Sequence, residues 1–91
     1  MTPESASLSQ LRLRCRRGML ELDLIMERYL DRYYSTADYE EQTQFIALLE
    51  LQDPELYPLV TSSAPPPEGF AALLAKISES ASHFDQKTGK T

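Results

Sequence analysis

The sequence is short of the residues from which catalytic and metal sites are usually built. It has one cysteine and one histidine in 91 residues. Cys15 has no second cysteine to pair with, so packing rather than a disulfide must hold the fold together. Cys15 and His83 would supply two zinc ligands, whereas a zinc site needs three or four good ones. The composition therefore argues against a resident metal ion within one chain.

Long apolar runs are also missing. No segment approaches the ~20 apolar residues that cross a bilayer, and residues 1–10 contain no apolar core of a secretory signal. An arginine-rich stretch follows, but it continues into a patterned helix and Glu4 lies upstream. We therefore expect no dispensable leader and a bacterial, cytoplasmic protein without membrane insertion.

Positive charge is absent from the middle of the chain. No lysine or arginine occurs in residues 33–75, where acidic side chains are frequent. All the arginines precede this region: Arg12, Arg14, Arg16, Arg17, Arg28 and Arg32. The net charge of −5 argues against general nucleic-acid affinity. A basic end joined to an acidic body can instead orient a protein partner at encounter.

Apolar residues recur at helical spacing, with no strand-like alternation. The spacing predicts a first helix over about residues 7–16 and a second over about 19–33, with Gly18 as a break or a close packing point. The predicted stripe of the first helix consists of Leu8, Leu11 and Cys15. That of the second consists of Leu22, Ile25, Met26, Tyr29 and Tyr33, flanked by Leu30.

Three further helices complete the prediction. A third, capped by Ser35, Thr36 or Asp38, runs to about Leu51 and buries Phe45, Leu48 and Leu49, with Ile46 on the shoulder. Asp53 is expected to cap a fourth, short helix that has Pro54 at its first position. A proline-rich connector over residues 61–67 leads to a fifth helix, whose expected face is Phe70, Leu73, Leu74, Ile77, Ala81 and Phe84.

The predicted fold is all-α, a compact bundle of five mostly short helices in one domain. Its ordered core is expected over about residues 7–84, followed by a flexible tail over 85–91. A chain of this size has little room for a deep, walled active site. We therefore predict a binding protein rather than an enzyme.

The most distinctive motif is Arg-Gly-x-x-Glu, which begins at Arg17 and ends at Glu21. On one helix the two charged side chains would share a face and form an ion pair, or present opposite charges to a partner. Gly18 would let another backbone approach closely. The plainer alternative is a turn with a solvated salt bridge worth about 0.3–0.5 kcal/mol.

The motif is followed in order by Glu40, Phe45, Leu48-Leu49-Glu50 and Asp53-Pro54-Glu55-Leu56. Together these residues resemble the signature of the succinate dehydrogenase assembly factor family, over about residues 11–60. The resemblance implies a helical bundle that binds the flavoprotein subunit and promotes covalent attachment of FAD to a histidine of that subunit. Fumarate reductase flavoproteins are related targets. FAD would be the cofactor of the client, with none bound permanently here, and the free protein is expected to be a monomer.

The resemblance maps the family motif onto Arg17, Gly18 and Glu21. With their neighbours they form the predicted partner-binding set: Arg16, Arg17, Gly18, Glu21 and Asp23. An antitoxin-like protein binder is the alternative function, and nucleic-acid binding is a distant third.

Single residues also permit two interpretations. Cys15 beside two arginines could be a low-pKa thiol, but a packed structural thiol is favoured. The tyrosines could stack on a flavin, but aromatic residues at helical spacing usually belong to a core. His83 is expected to be a surface residue near a helix end.

Overall fold

The computed structural model describes residues 2–61 and 63–79, and five α-helices organise them. They are α1 (Leu8–Cys15), α2 (Leu20–Arg32), α3 (Tyr39–Leu49), α4 (Asp53–Val60) and α5 (residues 71–79), with a 3-10 turn at Tyr34–Thr36. The described residues contain no strand. The prediction of an all-α bundle of five mostly short helices is confirmed.

Local side-chain caps fix where the first and third helices begin. Ser7 Oγ accepts from the Gln10 backbone N–H, and the Gln10 side chain accepts from the Ser7 N–H, at 3.1 and 2.9 Å. This reciprocal pair is a capping box. Asp38 Oδ1 accepts from the Glu41 N–H at 2.8 Å. Asp38 is therefore the cap among the three candidates for α3.

The junction between α3 and α4 corrects three predictions. Helix α3 ends at Leu49 rather than about Leu51. The N-cap of α4 is Gln52, whose N–H donates to the Glu55 carboxylate at 3.3 Å, so Asp53 is the first helical residue and not the cap. Pro54 accordingly takes the second helical position. The Asp53 carboxylate instead accepts a hydrogen bond from an arginine that is distant in the sequence.

One apolar core joins all five helices. Ile46 is buried rather than on the shoulder of α3, and Leu8 is 50% exposed, so its predicted place in the stripe of α1 is wrong. Tyr33 and Phe70 are partly buried and pack against the core. The buried residues are Leu11, Cys15, Leu22, Ile25, Met26, Tyr29, Leu30, Tyr34, Phe45, Ile46, Leu48, Leu49, Leu56, Val60, Leu73, Leu74 and Ile77.

A partly buried ion pair attaches α5 to α3. Lys76 Nζ lies 3.0 Å from the Glu41 carboxylate, which also accepts a hydrogen bond from the Tyr29 hydroxyl. Ala81, Phe84 and the predicted tail lie outside the described residues. Within the described ranges, no helix combines the length and apolar character needed to cross a membrane.

Candidate functional site

Residues 16–19 form the loop between α1 and α2, which we call the motif loop. Gly18 has φ of +93°, a backbone conformation that side-chain-bearing residues rarely adopt. Arg17 therefore lies before the break and Glu21 lies after it, in the first turn of α2. The prediction that Arg17 and Glu21 share one helix face is wrong. Each side chain instead contacts the α3–α4 region.

The side chain of Arg17 points into the protein and is 12% exposed. Its Nη1 donates to the carbonyl of Leu51 at 2.5 Å and to Asp53 Oδ1 at 3.1 Å. Its Nη2 donates to the carbonyl of Leu49. The last carbonyls of a helix lack partners within the helix, so Arg17 supplies hydrogen bonds that close the C-terminal end of α3.

Asp23 holds the motif loop from the other side. Its Oδ1 accepts from the backbone N–H of Arg17 at 2.6 Å. The N–H of Asp23 donates in turn to the carbonyl of Met19 at 2.8 Å. Asp23 thus connects the motif loop to the first turn of α2 by two hydrogen bonds and stabilises the loop.

Gly18 is exposed and faces open space. A Cβ built on it would meet no atom within 4 Å. The predicted break between helices at Gly18 is therefore confirmed. Among the described residues, no other part of the chain packs closely against this glycine. Its positive φ is what requires glycine here.

Glu21 presents an exposed carboxylate beside this glycine. Its Oε1 accepts from the hydroxyl of Tyr57 on α4 at 2.7 Å. Arg16 is also exposed, with its Nε 3.5 Å from Glu27. An exposed cation on the motif loop, Arg16, and an exposed anion in the first turn of α2, Glu21, therefore lie on either side of Gly18 in the chain.

Two apolar side chains close to Gly18 in the chain are exposed but are not among the candidate partner contacts predicted from the sequence. Leu20 is 75% exposed and Met19 is 38% exposed. Single exposed apolar side chains are common on protein surfaces, so it is their position beside Gly18 that makes these two candidates for contact with a partner. The signal was available for Leu20, because it lies outside the buried spacing that begins at Leu22.

The remaining reactive candidates are core residues. Burial raises the pKa of the Cys15 thiol to about 12, which confirms the structural reading and rules out the low-pKa thiolate. Burial and the hydrogen bond to Glu41 raise the pKa of Tyr29, and Tyr34 is also buried. These two tyrosines therefore cannot offer an open face to a flavin. His83 lies outside the described residues.

Several arginines at the basic end are already paired with acidic side chains. Arg12 lies 2.5 Å from Asp31, and Arg16 has Glu27 as its neighbour. Among the described residues, no group of three or more His, Cys, Asp or Glu side chains could hold a metal ion. The surface at this end is consequently of mixed charge rather than a uniformly basic patch.

The family model and the similar proteins identify the same family. Residues 9–81 match the family described as "Flavinator of succinate dehydrogenase". The chain is similar to the FAD assembly factor SdhE of Methylococcus capsulatus, with 44% identity over 64 residues, covering 69% of this chain and 77% of the relative. The protein of the same name from Shewanella oneidensis is 43% identical over 54 residues, covering 59% of this chain and 66% of the relative. That from Vibrio parahaemolyticus is 35% identical over 77 residues, covering 84% and 87%.

No solved structure matches the chain significantly. The names of the relatives describe assembly factors, in agreement with the prediction of a protein that is not an enzyme.

Proposed function

Because the chain belongs to the family of succinate dehydrogenase flavinators, we propose that it binds the flavoprotein subunit of succinate dehydrogenase and promotes covalent attachment of FAD to that subunit. The observation that carries the proposal is the motif loop. Arg16 and Gly18 are exposed on this loop, Glu21 is exposed in the adjoining first turn of α2, and the buried contacts of the Arg17 side chain fix the shape of the loop. The related flavoprotein of fumarate reductase is a second client under the same proposal.

The chemistry of the loop favours binding over catalysis. The exposed groups of the loop and of the adjoining start of α2 are a guanidinium, a carboxylate and two apolar side chains. The nearby thiol of Cys15 is buried, and its raised pKa keeps it protonated near neutral pH. The assembly factor would therefore act by holding the client in a conformation in which its histidine and the flavin can react. FAD is then held by the client.

The geometry of the loop suits a close contact with another chain. Gly18 has no side chain, and the space beside it is open, so a client backbone can approach. Leu20 is exposed two residues further along the chain, and burying its side chain against a client would add apolar contact area to the interface. A loop that is already ordered before binding loses less conformational entropy on association.

A pull-down of the tagged protein from its source cell tests the partner. We expect the flavoprotein subunit of succinate dehydrogenase or of fumarate reductase among the captured proteins. Gly18→Arg serves as the matched bait, because it changes the surface of the motif loop and should lose the flavoprotein. Capture of a toxin or of RNA by the wild-type bait, without either flavoprotein, would contradict the proposal and favour the alternative classes.

A further inference from the structure

We propose that Arg17 is a positioning residue rather than a partner contact, and that Asp53 on α4 completes the support that shapes the motif loop. This inference rests on the proposed function, because it takes the motif loop as the surface that the flavoprotein meets. It removes the arginine of the motif from the interface and gives a role to a residue on a different helix.

The hydrogen-bond donors of the Arg17 guanidinium are directed at groups within the protein. An arginine has five N–H donors. Nη1 serves Leu51 and Asp53, and Nη2 serves Leu49. Nε is buried without a hydrogen-bond partner among the described residues. Bidentate binding of a carboxylate needs two parallel donors on one accessible edge. The buried Nε and the occupied Nη1 leave Arg17 no such edge for a client.

Two sources of negative potential surround the Arg17 guanidinium. Arg17 reaches the carbonyl of Leu49, the last residue of α3, and that of Leu51 just beyond it, where the negative end of the helix dipole lies. Asp53 adds a carboxylate from the first turn of α4. A cation placed between these two sources of negative potential is held by three acceptors at once. The position of the Arg17 side chain is thereby defined by the α3–α4 junction.

Arg17 connects the α3–α4 junction to the surface of the motif loop. The Arg17 side chain is bound to the junction, while its backbone N–H is bound to Asp23 of α2. Arg17 is thus anchored on two sides, and Gly18 is the next residue. If the anchor is lost, the loop samples other conformations and only a fraction of molecules stays competent to bind. The apparent Kd then rises by the inverse of that fraction.

Two variants test the support, and both are measured in the free protein and in the complex. Arg17→Met keeps the aliphatic stem but removes every donor, and Asp53→Ala removes the carboxylate from α4. Nuclear magnetic resonance of the free protein follows the Gly18 amide signal and hydrogen exchange of the backbone amide at position 17. Titration calorimetry gives the Kd for the purified flavoprotein subunit.

We expect Arg17→Met to shift the Gly18 signal, to speed amide exchange at position 17, and to raise the Kd about tenfold if one molecule in ten keeps the loop shape. Asp53→Ala should change the same three quantities in the same direction by a smaller amount, because it leaves both carbonyl acceptors. Arg12→Met is the matched control. It removes the surface pair with Asp31 and should leave all three unchanged.

The opposite results are equally clear. A raised Kd for Arg17→Met with unchanged protection of the position-17 amide from hydrogen exchange would make Arg17 a direct contact and overturn the proposal. This holds whatever the Gly18 signal does, because that signal moves with any substitution at the preceding residue. No change in any quantity for Asp53→Ala would remove Asp53 from the support. If Arg17→Met does not fold, Arg17→Lys, which keeps the charge but loses the fork, takes its place under the same criteria. Failure of the wild-type protein to bind any flavoprotein would refute the proposed function, while the measurements on the free protein still judge the support.

Discussion

Replacing Gly18 by alanine separates the backbone requirement of the motif loop from its contacts with a partner. Gly18 has φ of +93°, and holding a side-chain-bearing residue in a left-handed conformation costs about 1–2 kcal/mol. The added Cβ would meet no atom within 4 Å, so no steric clash adds to this cost. We therefore expect the free energy of unfolding to fall by about 1–2 kcal/mol.

The chain contains a matched control for this backbone effect. Gly69 has φ of +87°, and a Cβ on it would meet only the Gln44 amide nitrogen, at 4.0 Å. Gly69→Ala should therefore lose a similar amount of stability while lying outside the motif loop. Gly18→Asn should lose less than Gly18→Ala, because asparagine tolerates positive φ better.

Thermal melting followed by circular dichroism gives the comparison. A loss of 1 kcal/mol lowers the Tm of a domain of this size by about 4–8 °C. We expect similar falls in Tm for the two alanine variants, with weakened flavoprotein binding only for Gly18→Ala. A Gly18→Ala protein that melts with the wild type would refute the conformational reasoning. Equal loss of binding in both variants would show that reduced stability, and not the loop surface, is responsible.

Three further measurements test the core and the site. Leu48→Ala should lower the unfolding free energy by about 2–5 kcal/mol, because this side chain is buried; a loss under 1 kcal/mol would contradict its place in the core. Glu21→Ala should stay within about 0.5 kcal/mol of the wild type, because its carboxylate is exposed; unfolding would make its charge structural. The raised pKa of Cys15 means that above about pH 9 the unfolded state loses a proton that the folded state keeps, so Cys15 lowers the unfolding free energy by about 1.4 kcal/mol per pH unit as the pH rises. Cys15→Ala should make the fall with pH shallower, while buried Tyr29, whose pKa is also raised, still contributes above about pH 10; an unchanged slope between about pH 9 and 10 would refute the assignment.

Helical periodicity predicted most of the fold because the core is organised by local spacing. Leu22, Ile25, Met26 and Tyr29 repeat at the period of one helix face, and all four are buried. Leu8 shares the spacing of Leu11 but lies half exposed. A spacing rule cannot tell where a short helix ceases to be covered by its neighbours.

The long-range hydrogen bonds of the site could not be predicted from the local sequence pattern. The motif places Arg17 four residues before Glu21, which suggests one helix face, but the left-handed backbone at Gly18 separates them. The hydrogen-bond partners of the Arg17 side chain lie 32 to 36 residues further along the chain. The sequence Asp-Pro-Glu is a helix start signal and predicts that Asp53 caps α4. The hydrogen bond that Asp53 accepts from Arg17 instead depends on tertiary packing.

Covalent flavin on the flavoprotein subunit tests the central claim most directly. In a strain lacking the wild-type protein, in-gel flavin fluorescence of that subunit is measured with the wild type, Gly18→Arg or Gly69→Arg supplied. Melting curves and protein levels for each variant establish that it is folded and present. We expect strong fluorescence with the wild type and with Gly69→Arg, and little with Gly18→Arg. Full flavinylation by a folded Gly18→Arg protein would contradict the account, because it would show that the motif loop is not the surface through which the protein acts.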